Sequence, residues 1–168
     1  RTRMARRVAA LLEGLGVQPA ADPEDGERLV ARLDGSTLTI STADQRLNVV
    51  CRFDDLTVLA PDDDQTSTAL VVARAWNQGF NALAVRVTGA GLANGRYRGE
   101  PGAGLGTGAD APLGVEGYAC WLERPGMTDR QLTALLEAVL TEAPKLSTFW
   151  RENVADAEDE REFLRRQG

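Results

Sequence analysis

The sequence predicts an α+β domain in which helices pack on a five-stranded antiparallel sheet, with the element order α-β-β-β-α-β-β-α. Three observations lead to this prediction. Short runs alternate apolar and polar residues, as half-buried strands do. Amphipathic segments of helical period stand before, between and after those runs, and turn-forming residues separate them. The chain has 168 residues, 43% of them hydrophobic and 26% charged, which is typical of one globular domain.

The first element is an amphipathic helix near the start of the chain. Apolar residues recur there at the spacing of one helical face: Met4, Val8, Leu11, Leu12 and Leu15. Gly14 and Gly16 are expected to end this helix, and the polar residues 17–27 are expected to form a connector.

The next three elements are predicted to form an antiparallel meander. Residues 29–33 and 38–40 alternate in polarity on either side of Asp34-Gly35. An Asp-Gly pair between two such runs indicates a hairpin, because both turn residues must accept positive φ. The third strand places four apolar residues on one face: Leu47, Val49, Cys51 and Phe53.

A second helix and a fourth strand follow an acidic run at residues 62–64. Carboxylates at this point complement the positive N-terminal end of a helix. Gly79 is expected to end the helix, and the strand "NALAVRV" begins directly after it. The apolar stripe of the helix is predicted to comprise Ala69, Val72 or Ala73, Trp76 and Phe80.

Residues 89–114 are too rich in glycine to pack and too long for a standard hairpin loop, so they are predicted to form an inserted, mobile loop. Closely spaced glycines also occur in phosphate-binding loops. Neither "GAGLANG" nor "GAGLGTG" opens a helix or ends in Lys-Ser/Thr, which favours a flexible loop.

The last strand, "VEGYACWLE", is apolar on both faces, and the closing helix after it begins with a predicted capping box of Thr128 and Gln131. Pro144 is expected to end or kink this helix. We expect residues 1–155 to form a single domain and residues 156–168 to form a charged C-terminal tail.

Composition excludes several classes of function. The formal charge of −6 repels phosphate, so no nucleic-acid partner is expected, and no apolar run reaches the ~20 residues that a membrane span needs. The absence of histidine removes the commonest general base and metal ligand. No catalytic residue, metal ligand or cofactor is therefore assigned.

Two sets of side chains leave alternatives open. Cys51 and Cys120 lie in apolar alternating segments and are interpreted as reduced, buried thiols of a cytoplasmic protein, with a disulfide as the alternative. The carboxylates between Asp54 and Asp64 could hold a divalent cation in a metal-dependent enzyme. Their spacing does not match a calcium-binding loop, and helix capping and solubility explain such residues more often.

Two stretches, "ARAWNQGFNALAVRV" and "GYACWLERPGMTDRQLTALLEAVLTEAPKLSTFW", resemble the YbjN family, also labelled bacterial sensory transduction regulators. The resemblance covers residues 27–153. That family is similar in fold to the class I type III secretion chaperones, which are small acidic homodimers that bind extended segments of other proteins. The resemblance implies a non-enzymatic, homodimeric, chaperone-like or regulatory module whose partner is another protein or peptide segment.

The junction of the second helix and the fourth strand supplies the candidate binding residues. Trp76 and Asn77 either fill the core and close the helix, or contribute to a dimer or partner surface, where Trp is enriched. Arg74 and Arg86 could bind a carboxylate on a partner, although solvent-facing arginines are commoner. The predicted partner-binding or dimer residues are Arg74, Trp76, Asn77, Phe80 and Arg86.

Overall fold

The computed structural model of the chain describes residues 2–92, 111–122 and 126–168. Three α-helices and six strands occur within these ranges: α1 (Arg3–Gly14), β1 (Ala20–Ala21), β2 (Arg28–Leu33), β3 (Ser36–Ser41), β4 (Arg46–Arg52), α2 (Asp63–Asn77), β5 (Ala84–Thr88), β6 (Gly114–Leu122) and α3 (Asp129–Gln167). Most of the glycine-rich segment predicted at 89–114 lies outside the described residues.

The α+β fold with an antiparallel sheet is confirmed, but the prediction of five strands is wrong. The described sheet has six strands in the order β1-β2-β3-β4-β6-β5, and every neighbouring pair is antiparallel. The additional strand, β1, comprises Ala20 and Ala21, which pair with Val30 and Leu29 of β2. Two residues inside a polar connector are too few to show an alternating pattern.

The β2–β3 hairpin is confirmed at Asp34-Gly35. Leu33 pairs with Ser36, so these two residues alone form the loop, and Gly35 has a φ of +78°. Such a φ favours glycine, because a Cβ at this position is strained.

All three helices pack against one face of the sheet. The strand residues on this face and the apolar faces of the helices form a single buried cluster. The strands contribute Leu29, Leu38, Ile40, Leu47, Val49, Cys51, Val85 and Val115, and the helices contribute Val8, Leu12, Ala69, Val72, Leu132, Leu136, Leu146 and Trp150. The alternate residues of the same strands point to the opposite face, which we call the open face.

Gly117 of β6 allows α3 to approach the sheet closely. A Cβ built at this position would lie 3.1 Å from Cδ2 of Leu146 and 3.4 Å from Cδ1 of Leu83. The contact with Leu146 is tight for a methyl group, whereas the contact with Leu83 is an ordinary van der Waals distance. The packing of α3 on β6 therefore favours a residue without a side chain at this position.

The closing helix is longer than the sequence indicates. The predicted capping box of Thr128 and Gln131 is present, but the helix passes through Pro144 without ending and runs for 39 residues. Pro144 is exposed, whereas Ala143 and Leu146 beside it are buried, so the core holds the helix on both sides of the lost backbone hydrogen bond. The residues expected to form a charged tail continue the same helix as far as Gln167.

The last turns of α3 lie against the beginning of α2. Arg161 donates to the carbonyl oxygen of Asp64, at 2.8 Å, and to the Thr68 hydroxyl. None of the described helices combines the length and the apolar character that crossing a bilayer requires.

Cys51 is buried and Cys120 is exposed, and both are free thiols. The expectation that both cysteines are buried is wrong for Cys120. This residue pairs with Asn48 across β4 and β6 and belongs to the open face, which the apolar sequence of β6 does not reveal.

Candidate protein-binding surfaces

Trp76 is a core anchor at the end of α2. Its side chain is buried, and its indole Nε1 donates to the carbonyl oxygen of Leu83 at 2.9 Å. The ring meets Phe149 of α3 edge to face, with centroids 5.3 Å apart. The Trp therefore ties α2, α3 and the start of β5 together, as aromatic side chains with a satisfied N–H commonly do.

Asn77 closes the outer edge of the sheet. Its Nδ2 donates to the carbonyl oxygen of Val85, and its Oδ1 accepts from the Val85 N–H, both at 2.8 Å. The side-chain amide thus takes the place of a further strand's peptide group beside β5. An unpaired edge strand invites pairing with another chain, and this contact removes the opportunity at Val85.

Glu142 extends the same closure. Its two carboxylate oxygens accept from the backbone N–H groups of Ala82, at 2.7 Å, and Leu83, at 3.2 Å. Together with Trp76 and Asn77, it occupies the outer edge of residues 82–85, which lead into β5. A partner strand could not add here without displacing these side chains.

Arg74 and Phe80 are exposed. The prediction that Phe80 belongs to the apolar stripe of α2 is wrong, because α2 ends at Asn77 and the chain turns toward β5 over the next residues. Val71, on α2, is also exposed, with 68% of its surface accessible.

A shallow groove of about 310 Å³ runs between α2 and the last part of α3. Small residues, Ser67 and Ala75 on α2 and Ala157 on α3, lie along it, and the exposed apolar side chains of Val71 and Leu164 border it. We call this surface the helix groove.

A second cavity, of about 300 Å³, lies between α2, α3 and the segment that follows β4. Its lining combines buried apolar residues such as Leu56 and Trp150 with charges of both signs. At its rim, Nη2 of Arg151 lies 3.7 Å from Oδ2 of Asp55. The lining holds two carboxylates, Asp55 and Glu158, and two guanidinium groups, Arg151 and Arg161, so the cavity favours neither an anionic nor a cationic ligand.

Arg86 lies on the open face, where it is only 5% exposed, so the interpretation of it as a solvent-facing arginine is wrong. Its Nε donates to Oε2 of Glu116 at 2.9 Å, and its guanidinium lies 4.8 Å from the ring centroid of Tyr118. Glu116 is completely buried, and the Nε of Arg52 approaches its other oxygen at 3.5 Å. This ion-pair cluster fixes two arginines on the open face.

The strand register arranges the open face in rows that run across the strands. Directly opposed residues of antiparallel strands share a face. The middle row, which we call the central row, comprises Val30, Thr39, Val50, Tyr118 and Ala84. The row on one side comprises Arg32, Thr37, Arg52, Glu116 and Arg86, and the row on the other side comprises Arg28, Ser41, Asn48 and Cys120, with Arg46 and Leu122 beyond it.

The open face therefore has an uncharged centre and a margin of arginines. We call Arg28, Arg32, Arg46, Arg52 and Arg86 the arginine rim. The buried residues of all three helices belong to the core on the other side of the sheet, so the helices in the described part of the chain leave this face uncovered.

Sequence reasoning missed the arginine rim, except for Arg86. The signal was present along single strands. On β2, Arg28, Val30 and Arg32 alternate with the core residues, and on β4 Arg46 and Arg52 do the same. The rim becomes one surface only through the pairing of the strands.

Three of the five acidic residues between Asp54 and Asp64 have structural partners, and the other two, Asp63 and Asp64, lie in the first turn of α2. Asp62 is the N-cap of α2, and its Oδ1 accepts from the Gln65 N–H at 2.7 Å. Asp54 lies 3.5 Å from Arg32, and Asp55 pairs with Arg151. Within residues 2–92, 111–122 and 126–168, no cluster of three or more His, Cys, Asp or Glu residues is arranged to hold a metal ion.

The architecture places the chain among α+β proteins with an antiparallel sheet and one layer of helices. No protein-family model matches the sequence, and no curated protein matches it. One solved structure with a similar arrangement is the crystal structure of YbjN from E. coli, described as a candidate transcription regulator. It has a TM-score of 0.48 and 11% sequence identity, with 90% of this chain and 89% of that chain covered. This similarity does not bear on activity, partners or binding residues.

Proposed function

We propose that this chain is a non-enzymatic, chaperone-like or regulatory module that binds a segment of another protein on its open face. One observation carries the proposal: the central row lies uncharged and uncovered by the described helices, inside a margin of arginines. Protein interfaces commonly combine a less polar centre with a polar rim, and Arg and Tyr are enriched in them. The closed edge of β5 at residues 82–85 favours this face over strand addition there.

We propose further that the module is a cytoplasmic homodimer and that the second copy contacts the helix groove. Val71, Phe80 and Leu164 supply exposed apolar surface on and near α2, and small residues along the groove leave room for side chains of another helix. Arg74 lies on the same helix as Val71 and remains a candidate contact of this interface.

Capture of partner proteins tests the open face. Wild-type protein, Val50→Glu and Leu59→Glu would be immobilised and exposed to a lysate of the native cells, and bound proteins identified by mass spectrometry. Val50 lies in the central row, whereas Leu59 is exposed outside both proposed surfaces. We expect Val50→Glu, but not Leu59→Glu, to lose the proteins that the wild type retains. The same proteins on Val50→Glu, with its fold verified by circular dichroism, would contradict the proposal.

Light scattering after gel filtration tests the homodimer. We expect a dimer for the wild type and for Leu59→Glu, and a monomer for Val71→Glu, because a carboxylate in an apolar interface loses its solvation. A wild-type monomer at high micromolar concentration would rule out the dimer and leave binding on the open face to its own test.

A further inference from the structure

We infer that the segment bound on the open face is an amphipathic helix with acidic side chains along its flanks. This inference rests on the proposed function, since it specifies the chemistry of the partner at the same surface. Three properties of the described residues carry it: the charge of the face, the state of its backbone groups and its dimensions.

The charge of the open face is opposite to that of the chain. The chain carries a formal charge of −6, yet the five arginines of the rim lie on this one face, and four of them are accessible to a partner: Arg28, Arg32, Arg46 and Arg52. Arg52 lies near Glu116, and two longer contacts join Arg28 to Asp22 at 3.6 Å and Arg32 to Asp54 at 3.5 Å. Arg32 remains 76% exposed in its side chain. The face therefore attracts carboxylates, and charge complementarity of this kind favours specific association.

Glu116 offsets part of the positive charge, but it also orders a side chain that a partner can reach. It is completely buried and Arg86 is nearly so, whereas Arg52 keeps 38% of its side chain exposed. The contact between Glu116 and Arg52 holds the arginine in place, which lowers the conformational entropy that it loses on binding.

The hydrogen-bonding needs of the partner's backbone indicate which secondary structure it adopts on this face. The peptide groups in the middle of the sheet are paired with neighbouring strands, so the open face presents side chains rather than main-chain donors and acceptors. An extended segment laid on it would leave its own N–H and C=O groups without partners. A helix satisfies these groups internally.

The dimensions of the open face suit a short helix. Arg28 and Arg32 stand four residues apart on β2, about 13 Å along the strand, and the central row lies between them. A helix with its side chains is about 10–12 Å wide. The central row crosses five strands, a length of about 19 Å, which corresponds to about 13 helical residues.

Two other occupants fit less well. A second copy placed face to face would bring two arginine rims together, and like charges oppose such an arrangement. Single-stranded nucleic acid is bound largely by stacking of bases on aromatic side chains. In the rows described above, Tyr118 is the aromatic residue, and its ring is in contact with Arg86.

Fluorescence anisotropy with two synthetic helical peptides tests the inference. Both peptides have a leucine face; one carries glutamate along its flanks, and the other carries lysine at the same positions. The proteins are the wild type, the double variant Arg32→Glu/Arg46→Glu on the rim, and the double variant Arg3→Glu/Arg6→Glu as a matched control on two exposed arginines of α1. A labelled single-stranded oligonucleotide serves as a third probe.

We expect the wild type to bind the acidic peptide more tightly than the basic one. The rim variant should weaken binding of the acidic peptide about tenfold or more, Arg3→Glu/Arg6→Glu should leave it unchanged, and added salt should weaken it. Equal affinity for the two peptides, equal loss in Arg3→Glu/Arg6→Glu, or tighter binding of the oligonucleotide would each overturn the inference. If Val50→Glu still abolishes capture of cellular proteins in that case, the open face binds protein and only the acidic character of the partner is wrong.

Discussion

At the scale of single residues, the junction between α2 and β5 shows how a side chain can replace a strand. Asn77 binds backbone groups of Val85 in β5, and Trp76 and Glu142 bind those of the residues just before it. The sequence raises Trp76 and Asn77 as candidate contacts for a partner, but in this chain their polar atoms already have partners. The structure therefore assigns them a role in closing the sheet, whereas the side chains of Arg74 and Phe80 are exposed at this junction.

Replacing Asn77 by alanine should destabilise the protein by about 1–3 kcal/mol, since it leaves the N–H and C=O of the buried Val85 unpaired. Urea unfolding followed by fluorescence measures this change. Gln78→Ala, at the next and equally exposed position, is the matched control and should alter stability by less than about 0.5 kcal/mol. An Asn77→Ala variant as stable as this control would show that water replaces the side-chain amide.

The pH dependence of the free energy of unfolding tests the burial of Cys51. Burial raises the pKa of its thiol from 9.0 to about 12, because the apolar core disfavours the thiolate. Above pH 9 the unfolded chain loses this proton while the folded chain keeps it. The free energy of unfolding should therefore fall as the pH rises from 9 toward 12, by at most about 1.4 kcal/mol per pH unit from this group.

The Cys51→Ala variant should show a shallower decline over this pH range than the wild type, measured by urea unfolding at a series of pH values. Cys120→Ala removes an exposed thiol and is the control. Identical slopes for the wild type and Cys51→Ala would mean that the thiol ionises in the folded state. In thiol titration of the native protein, we expect Cys120 to react and Cys51 to react only after denaturation.

At the scale of elements, α3 is the part of the fold that the sequence describes least well. The capping box at Thr128 is a local signal and predicts the start of the helix correctly. Pro144 is a local signal too, but buried residues on either side of it override its tendency to end a helix. The close approach of α3 to β6 at Gly117 cannot be read from one strand, because it depends on Leu146 and Leu83, which are distant in the chain.

Two glycine substitutions should change stability in opposite directions. Gly117→Ala should destabilise the protein by about 1–3 kcal/mol, because the added methyl group meets Leu146 at 3.1 Å. Gly14→Ala, at the last position of α1, meets nothing within 4 Å and should stabilise it by up to about 1 kcal/mol through helix propensity. Thermal and urea unfolding measure both changes. Equal effects of the two substitutions would contradict the packing described at Gly117.

At the scale of the whole molecule, local patterns predict the strands and helices, but the surfaces depend on how those elements meet. Alternation along β2, β3 and β4 predicts which residues enter the core. The order β4-β6-β5 brings Glu116 and Arg86 beside Arg52. The sequence of each strand taken alone does not indicate that these three residues are neighbours. The strand β1 was not predicted, because two residues are too few to show the alternation of apolar and polar side chains that indicates a strand. The open face is thus a property of long-range pairing.

Shortening the chain to residues 1–155 tests the expected domain boundary. The removed residues include Arg161, whose contacts with Asp64 and Thr68 join the end of α3 to the start of α2. We expect the shortened chain to fold, with a loss of about 1–2 kcal/mol and faster hydrogen exchange in the first turns of α2. The Arg161→Ala variant of the full chain should reproduce most of both effects. A shortened chain that fails to fold would place the boundary beyond residue 155.

The closure of β5 by Asn77 and Glu142 also bears on behaviour in crowded solution. Fibrils and runaway oligomers grow when the border of one molecule's sheet offers main-chain hydrogen bonds to the next. Here the protein's own amide and carboxylate cap residues 82–85 at one border, and the opposite border is a strand of only two residues. At these positions a second molecule finds few main-chain groups with which to extend the sheet.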